Sequence, residues 1–382
     1  MEAINSSCLP PEIEEEILAL LPFKSIHRFK SLSKSWFSLL TIKLKVPKLL
    51  CCRRKAKSSN PNTISSDDQV VFDAVVLPDY GCDVKNTVYM SPELSLELSL
   101  LSGSFWFAFV GSCNGLVCLQ CLNKLEIFVL NPSTSICRKL PRAPLSLEIW
   151  HYYAYGFGYD SASDDYKVFL AGKYGANVEI FSLKTGSWRK VENHDRRIFQ
   201  NSQCLGSMGL LLNGALHWGP GKSTWGENVK IIAFDLDKEK FYHVPSPPSQ
   251  SPLSNRANYS LGVVGEYLLC LFKNWERNIV WVMKEYCNEA SWVPFISYTS
   301  SKDGKHHSLT YVCDFIPRSF KDGRYMLLQF SQEHIHHVLI RWNNILEESD
   351  EAEKYSKKVE ISKYLRATAI AYTETLSSPY AS

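Results

Sequence analysis

Two different hydrophobic patterns divide this chain. Over residues 9–40, apolar residues such as Ile13 and Ile17 recur at helical spacing beside a glutamate-rich face, which predicts short amphipathic helices. Pro22 ends the first of these helices. From about residue 69, short runs that are apolar at nearly every position alternate with turn residues, which predicts strands buried on both faces. The pattern therefore predicts a small all-α N-terminal domain followed by a large all-β domain.

The N-terminal helices carry a recognisable motif. The run LPPEIEEEILALLPFKSIHRFKSLSKSWFSLL over residues 9–40 resembles the F-box, with its Leu-Pro opening, its Ile-Leu and Leu-Pro pairs and its Ser-Lys-x-Trp end. The resemblance implies binding to a Skp1-type adaptor, and through it to a cullin, in an SCF-type ubiquitin ligase. The residues that match the motif's contact positions are Leu9, Pro10, Ile13, Ile17, Leu18, Leu21, Pro22, Ile26, Phe29, Leu32 and Trp36.

The same segment has a second interpretation from its size alone. Three short helices bury too little apolar surface to be stable by themselves, so they must pack on something else. The alternative to an F-box is a helical hairpin that caps the larger domain. The predicted division of the chain is an F-box domain over residues 1–48, a linker over residues 49–68 and a β domain over residues 69–382.

The predicted linker is basic at its start and rich in Ser, Asn and Pro afterwards. The run RRKAK lies within it, and the residues that follow read SSNPNTISSDD. Such composition is typical of a solvated connection. A nuclear-localisation signal or an anion-binding patch is the alternative for the basic run.

A weak internal repeat runs through the β region. The segments EIFVLNPSTSICRKLP, VEIFSLKTGSWRKV, KIIAFDLDKEKFYHVP and IVWVMKEYCNEASWVPF each join an apolar strand to another strand through polar turn residues. Aligning Arg138, Arg189, Tyr242 and Val293 gives a period of roughly fifty residues, the length of a four-stranded propeller blade. Trp188 lies at the start of the last strand of one unit, and we expect its ring to pack against the adjacent blade.

The β region also resembles the F-box-associated interaction domain of plant F-box proteins. The resemblance is carried by GSCNGLVCL, LNPSTSICRKLP, YGFGYDSASDDYKV, EIFSLKTGSWRKV and LLNGALHWG, which occur in the family's order. Together with the repeat spacing it implies a six-bladed kelch-like β-propeller. A pair of β-sandwiches is the alternative fold.

We expect a target protein to bind loops at one end of the propeller, where side chains can vary without disturbing the core. The candidate segments are residues 142–153, 194–204, 220–228, 246–258 and 300–308. Aromatic residues dominate interface hot spots. Those at or beside the candidate segments are Trp150, Tyr152, Tyr153, Trp225 and Tyr259.

No cofactor, metal site or catalytic motif is predicted. Cys118 and Cys121 form a CxxC pair without a second ligand pair at zinc spacing, so we expect core thiols. The segment from Asp160 to Asp164 lacks the central glycine and the terminal glutamate of an EF-hand loop, so we expect a structural turn. His336 belongs to a histidine cluster that is expected at an exposed strand edge. The chain is therefore predicted to be a non-enzymatic adaptor.

The net charge of +3 is too small to indicate a dedicated nucleic-acid binder. The sequence has neither a long apolar span nor a signal-peptide pattern, so a cytoplasmic or nuclear location is expected. The rival function is a glycan-binding or enzymatic β-propeller with incidental N-terminal helices. An S-locus F-box protein that recognises a pistil ribonuclease is the alternative within the same class.

Overall fold

The computed structural model describes the chain from residue 47 onward, with gaps between many strands. The described residues are 47–55, 69–76, 89–91, 107–121, 124–144, 154–172, 177–192, 207–219, 222–223, 231–248, 257–273, 277–299, 315–319, 324–330, 335–341, 355–359, 368–373, 375 and 377–380. The helices predicted over residues 9–40 lie outside the described residues. Within the described part, no helix is long and apolar enough to cross a membrane.

The described strands group into antiparallel units of four strands. Unit 1 contains β1 (Pro47–Lys55), β2 (Gln69–Val76), β3 (Tyr89–Ser91) and β25 (Thr368–Thr373). Unit 2 contains β4 (Phe107–Cys113), β5 (Leu116–Cys121), β6 (Glu126–Asn131) and β7 (Ile136–Lys139). Unit 3 contains β8 (Ala154–Asp160), β9 (Asp165–Ala171), β10 (Val178–Ser182) and β11 (Ser187–Lys190).

The remaining units follow in chain order. Unit 4 contains β12 (Ser207–Leu212), β13 (Ala215–Trp218), β15 (Ile231–Asp235) and β16 (Lys240–Val244), with the short strand β14 (Lys222–Ser223) between β13 and β15. Unit 5 contains β17 (Ala257–Val264), β18 (Tyr267–Lys273), β19 (Arg277–Met283) and β20 (Trp292–Thr299), with a 3-10 helix at Glu289–Ser291 before β20. Unit 6 contains β21 (Phe315–Ser319), β22 (Arg324–Phe330), β23 (Ile335–Arg341) and β24 (Tyr355–Val359).

Unit 1 joins the two distant parts of the described chain. Its strand order is β25-β1-β2-β3, so the last strand of the chain pairs with the first. The predicted linker over residues 49–68 is therefore wrong at its start, because residues 49–55 belong to β1. Leu50 is fully buried there. The composition of the basic run gives no sign of this strand, because its partner, β25, lies more than 300 residues further on.

The hydrophobic core lies between successive units. Rings from units 3 and 4 form its aromatic part: the centroid of Phe169 is 5.0 Å from that of Trp218 and 4.7 Å from that of Phe234. Comparable buried clusters join units 1 and 2, units 2 and 3, and units 4 and 5. Since strands in this arrangement bury both faces, their sequences are apolar at nearly every position.

Glycines on the first strands of units 3 and 4 leave room for side chains of β13. These strands, β8 and β12, pair in parallel and merge the two units into an eight-stranded sheet. A Cβ on Gly209 would lie 2.8 Å from Trp218 Cε2, and a Cβ on Gly156 would lie 2.9 Å from Leu216 Cδ1. Both distances are too short for real side chains, so larger residues at these positions would displace the side chains of Leu216 and Trp218 from the core.

The pairing of residues between the third and fourth strands confirms the predicted repeat. Its third and fourth strands pair at the same positions in three units: Leu130 with Cys137, Phe181 with Trp188, and Phe234 with Phe241. The turns that join these strands each have four residues, whereas the corresponding turn of unit 5 spans residues 284–291. The prediction that His336 lies at a strand edge is wrong, because β23 pairs with strands on both sides.

Two tryptophans repeat the same contact between units. Trp188 Nε1 donates to the carbonyl of Pro141 at 2.8 Å, and Trp292 Nε1 donates to the carbonyl of Pro245 at 2.9 Å, each across 47 residues. The Trp188 ring also lies 5.2 Å from the ring of Phe181. The predicted contact of Trp188 with the adjacent unit is therefore confirmed, and Trp292 is its counterpart in unit 5.

Candidate target-binding face

Strand direction gives the described sheets two different ends. In units 2 to 5, the turns from first to second strand and from third to fourth strand lie at one end, which we call the turn end. These turns are residues 114–115, 161–164, 213–214 and 265–266, and residues 132–135, 183–186, 236–239 and 284–291. The connections from second to third strand, and from one unit to the next, start and finish at the opposite end, the loop end.

Side chains at the ends of the third strands organise the turn end. Asn131 Oδ1 accepts hydrogen bonds from the backbone of Ser133 and Thr134. Asp235, at the equivalent position of unit 4, accepts from the two corresponding amides, and Ser182 Oγ accepts one in unit 3. These are Asx- and Ser-type turns, which satisfy backbone donors locally.

Ion pairs tie the turn end of unit 3 to that of unit 4. Lys167 Nζ donates to Asp160 Oδ2 and to the carbonyl of Leu236, both at 2.7 Å. Lys167 and Asp160 are both buried, while Arg189 binds Glu239 at the outer part of the same seam. Because a buried charge is tolerated only when it is paired, these groups fix the relative position of the two units.

The aspartates of the turn between β8 and β9 are bound by other groups of the protein. Asp160 and Asp165 close the hairpin between β8 and β9, so the predicted structural turn is confirmed. Burial alone would raise the pKa of Asp160, but hydrogen bonds from Lys167, Ser163 and the backbone of Ala162 outweigh it and hold that pKa below its usual value. The carboxylate is thus ionised and already bound within the protein.

A chain of hydrogen bonds links units 4 and 5. His217, fully buried on β13, places Nδ1 3.1 Å from the carbonyl of Ala215 and Nε2 2.6 Å from the Tyr286 hydroxyl. Because a carbonyl can only accept, Nδ1 carries the proton of the neutral ring and Nε2 accepts from Tyr286. Tyr286 in turn lies 2.6 Å from the hydroxyl of Tyr242. Burial lowers the pKa of His217 to about 4, so the imidazole is neutral near pH 7.

The C-terminal residues after β25 cross the turn end of unit 2. We call residues 375 and 377–380 the C-terminal clasp. Asn131 Nδ2 donates to the carbonyls of Thr375 and Ser377 at 2.9 and 2.8 Å, and Thr375 Oγ1 donates to the carbonyl of Asn114 at 2.8 Å. Asn131, which is fully buried, therefore uses its oxygen for its own turn and its nitrogen for the clasp.

Arg138 holds the outer part of the clasp. One nitrogen of its guanidinium donates to the carbonyls of Leu183 and Pro379, at 3.0 and 3.2 Å. Its Cζ also lies 5.9 Å from the ring centroid of Phe181 and 5.5 Å from that of Tyr380. A single cation thus connects unit 2, unit 3 and the C-terminal segment through hydrogen bonds and cation–π contacts.

The five predicted target-binding segments all have their flanking strands at the loop end. Four of them connect one unit to the next, and residues 220–228 connect β13 to β15. Two of the segments come together through β14, because Lys222 and Ser223 pair with Asn258 and Ala257 of β17. Segments from units 4 and 5 that are far apart in sequence therefore meet at one place at this end.

The predicted hot-spot aromatics fall into two groups. Tyr259 lies on β17, half-buried, with its ring 5.3 Å from that of Phe272, and burial raises its pKa to about 12. It comes one residue after the pairing with β14. Trp150, Tyr152, Tyr153 and Trp225 lie outside the described residues. Their role in target binding stays a prediction, as does that of Tyr259.

All eleven predicted Skp1-contact residues, from Leu9 to Trp36, also lie outside the described residues. What the structure does locate is the point where that segment joins the β domain. Pro47, the first residue of β1, pairs with Thr373 at the end of β25. A Cβ on Gly115 would lie 2.7 Å from the Thr373 carbonyl, so this junction is at the turn end.

The cysteine pair on β5 is part of the core. Cys118 and Cys121 are fully buried, and burial raises the pKa of the Cys118 thiol well above its usual value. A thiol that stays protonated is a poor metal ligand and a poor nucleophile. Within the described part of the chain, no cluster of three or more His, Cys, Asp or Glu side chains could hold a metal ion.

Sequence reasoning missed β1, β25 and the clasp. A signal for β25 was present, because TAIAYT over residues 368–373 is mostly apolar. A signal for the clasp was not, since LSSPY has no periodicity of its own. Its position depends on Asn131 and Arg138, more than 200 residues earlier.

Comparison with known proteins places these features in a family. The sequence matches the F-box associated beta propeller domain over residues 69–378 and the F-box domain over residues 6–45. An F-box/kelch-repeat protein of Arabidopsis thaliana is 28% identical over 344 residues, covering 86% of this chain and 87% of that protein. The F-box protein CPR1 of Arabidopsis thaliana is 27% identical over 360 residues, covering 85% and 80%.

Among solved structures, a chain of a nidogen/laminin complex covers 86% of this chain and 98% of its own length, at 10% identity and a TM-score of 0.44. This structural similarity is too low to support a statement about the fold or function of this chain. The domain matches, in contrast, span most of the sequence and keep the order F-box, then β domain. The chain belongs to the F-box proteins that carry an F-box associated β-propeller domain.

Proposed function

We propose that this chain is the substrate-receptor subunit of an SCF-type ubiquitin ligase. In this proposal the F-box binds a Skp1-type adaptor, and through it a cullin, while the β-propeller domain binds a target protein. The observation that carries the proposal is the position of the junction. The F-box match ends at residue 45, and β1 begins two residues later at the turn end. The loop end, with the candidate target-binding segments, faces away from that junction.

We further propose that the four-stranded units are the blades of a six-bladed propeller. The pairing of β25 with β1 supports closure of the ring, because one blade then takes strands from both parts of the chain. A closed ring leaves few free strand edges, which makes it a stable platform for variable loops.

Such a receptor needs no chemistry of its own. It would act by holding the target near a ubiquitin-charged enzyme, which raises the effective concentration of the reacting groups. A non-catalytic role agrees with the polar groups of the described residues, since the buried Lys167 and His217 are bound to other protein groups. The proposed location is the cytoplasm, the nucleus or both.

The first experiment separates the two domains. We expect Leu9→Ala with Pro10→Ala to abolish capture of a Skp1-type adaptor, because these residues match the opening contacts of the F-box. The unfolding midpoint of the β domain should not change. Glu14→Ala with Glu15→Ala, on the polar face of the same predicted helix, is the matched control and should bind normally. Wild-type affinity of the Leu9/Pro10 variant would contradict the proposal.

The second experiment looks for the target. Affinity purification with ligase activity blocked, followed by mass spectrometry, should recover the adaptor and cullin with the wild type but not with the Leu9/Pro10 variant. A target bound to the propeller loops should be recovered with both. If capture of glycans replaces capture of a protein, the rival glycan-binding function is favoured instead.

A further inference from the structure

Two large apolar side chains are exposed at the same place on the turn end. Ile136 is 41% exposed and Tyr380 is 52% exposed, and among the described residues they are the exposed large hydrophobic side chains. The Tyr380 hydroxyl donates to the carbonyl of Cys137 at 3.2 Å, directly beside Ile136 in the chain. Ile136 lies on the same face of β7 as Arg138, whose Cζ is 5.5 Å from the Tyr380 ring centroid. The two exposed side chains therefore lie on the same part of the surface, which we call the Ile136–Tyr380 patch.

The patch is held in place by the rest of the protein. Arg138 lies 5.5 Å from the Tyr380 ring centroid and donates to the carbonyl of Pro379. Asn131 fixes the preceding part of the clasp through two further hydrogen bonds. An exposed ring on an ordered backbone loses little conformational entropy when a partner covers it.

The internal repeat shows that Ile136 is exceptional for its position. Ile136 pairs with Asn131, and the equivalent pairs are Ser187 with Ser182 in unit 3 and Lys240 with Asp235 in unit 4. Ser187 and Lys240 are exposed and polar, as expected at the start of an outer strand. The fold therefore does not require an apolar residue here. It occurs in the unit adjacent to the F-box junction.

The N-terminal segment leaves the β domain near this patch. Pro47 pairs with Thr373, and Tyr380 follows Thr373 by seven residues, a reach of at most about 25 Å. Residues 1–46 precede this junction and contain the F-box match. The sequence pattern predicts three short helices there, and helices that short would bury too little apolar surface to be stable alone, so we expect this segment to need a surface to pack on.

We propose that the Ile136–Tyr380 patch is the docking surface for the chain's own N-terminal segment, residues 1–46. Docking there would fix the orientation of the F-box relative to the β domain, and hence the distance between a bound target and the ligase. The proposal requires only the F-box segment of this chain. It does not require Skp1 binding, so the two proposals can fail independently.

The test is limited trypsin digestion of the full-length protein without any adaptor. Ile136→Ser copies the residue that unit 3 carries at the equivalent position, so the variant should fold. We expect cleavage at Lys43 and Lys45 to become about tenfold faster in Ile136→Ser and in Tyr380→Ala, because cleavage follows the opening of the docked segment. Lys240→Ser, at the equivalent position of unit 4, is the control and should match the wild type.

Each result decides the proposal. Faster cleavage in both patch variants, with an unchanged unfolding midpoint for Ile136→Ser, supports it. Equal cleavage rates in the wild type and both patch variants overturn it, and so does an equal increase in the Lys240→Ser control. Protection that depends on protein concentration would show that the patch meets a second copy. A weaker adaptor affinity with unchanged cleavage would show that it meets the adaptor. Both of these outcomes also overturn the proposal.

Discussion

The turn end and the loop end of the β domain are built in different ways. At the turn end, short turns carry local caps from Asn131, Ser182 and Asp235, ion pairs to Glu239 link units 3 and 4, and the C-terminal clasp covers unit 2. At the loop end, the connections between units are longer. In the described residues they are held by the two-residue strand β14 and by the hydrogen bonds of Trp188 and Trp292 to the carbonyls of Pro141 and Pro245.

The difference indicates that the two ends have separate roles, one in stability and one in target binding. At the turn end, the turn caps, the contacts between units 3 and 4 and the C-terminal clasp stabilise the domain. The F-box junction lies at the same end. The loop end can vary in sequence because little of the framework depends on it. Substitutions at the turn end should therefore change stability, whereas those at the loop end should change target binding. The following predictions, from the largest effect to the smallest, test that contrast.

The largest effect is expected from the tryptophans between units. Trp292 is 5% exposed, so Trp292→Ala should lower the free energy of unfolding by about 3–5 kcal/mol through the cavity it leaves. Trp188 is half-buried, and its alanine variant should lose less, about 2–3 kcal/mol. Denaturant unfolding measures both. The Trp→Phe variants are controls that keep a ring but lose the bond from Nε1, at about 1 kcal/mol. A change below about 0.5 kcal/mol would assign the residue to the surface.

Asn131 should come next, since it serves both its own turn and the clasp. Asn131→Ala leaves buried backbone groups without partners, and we expect a loss of about 2–4 kcal/mol in urea unfolding. Asn131→Asp keeps the acceptor for the turn but turns the donor to the clasp into an oxygen that repels the carbonyls of Thr375 and Ser377, so it should detach the clasp while the turn keeps its cap. Asp235→Ala, at the equivalent position of unit 4, should cost only about 1 kcal/mol because no clasp lies there. Equal losses for Asn131→Ala and Asp235→Ala would contradict a stabilising clasp.

The third prediction concerns acid. Folded His217 has a pKa of about 4, against 6.5 for an ordinary histidine, so between these values the unfolded chain binds the extra proton. Stability must then fall as pH decreases through this window, by about 2 kcal/mol at pH 5. In His217→Gln this part of the pH dependence should disappear, as measured by urea unfolding at pH 7 and pH 5. Tyr286→Phe, which keeps the imidazole, should retain it. An unchanged pH slope in His217→Gln would show that the imidazole is not buried.

The smallest effect on stability should come from the loop end. Trp225→Ala should change the free energy of unfolding by less than about 0.5 kcal/mol while it weakens target capture severalfold, as expected of an interface hot spot. Melting temperature and target pull-down on the same preparation measure the two effects. Trp292→Ala is the converse control, with a large loss of stability. A large loss of stability in Trp225→Ala would remove the contrast between the two ends.

Much of the β domain could be predicted because its signals are local. The repeat segments of the sequence contain β6, β10 and β15, each with the strand that follows it, and the repeat placed Trp188 against its neighbour unit. The polar turns also followed from residue type, since Asx caps act within four residues. The candidate site was predictable only as a set of segments. Their flanking ends share one end of the sheets, but most of their residues lie outside the described part of the chain.

Local sequence patterns predict the helical motif, the strand repeat and the positions of its turns. The family resemblance rests on the same short motifs. Each of these depends on residues close together in the chain. Only the tertiary structure shows that the basic run belongs to β1, that β25 completes unit 1, and that Asn131 and Arg138 hold the C-terminal clasp. These contacts join residues more than 200 positions apart, and no local pattern specifies such partners, because any apolar strand or polar side chain could pair with many others.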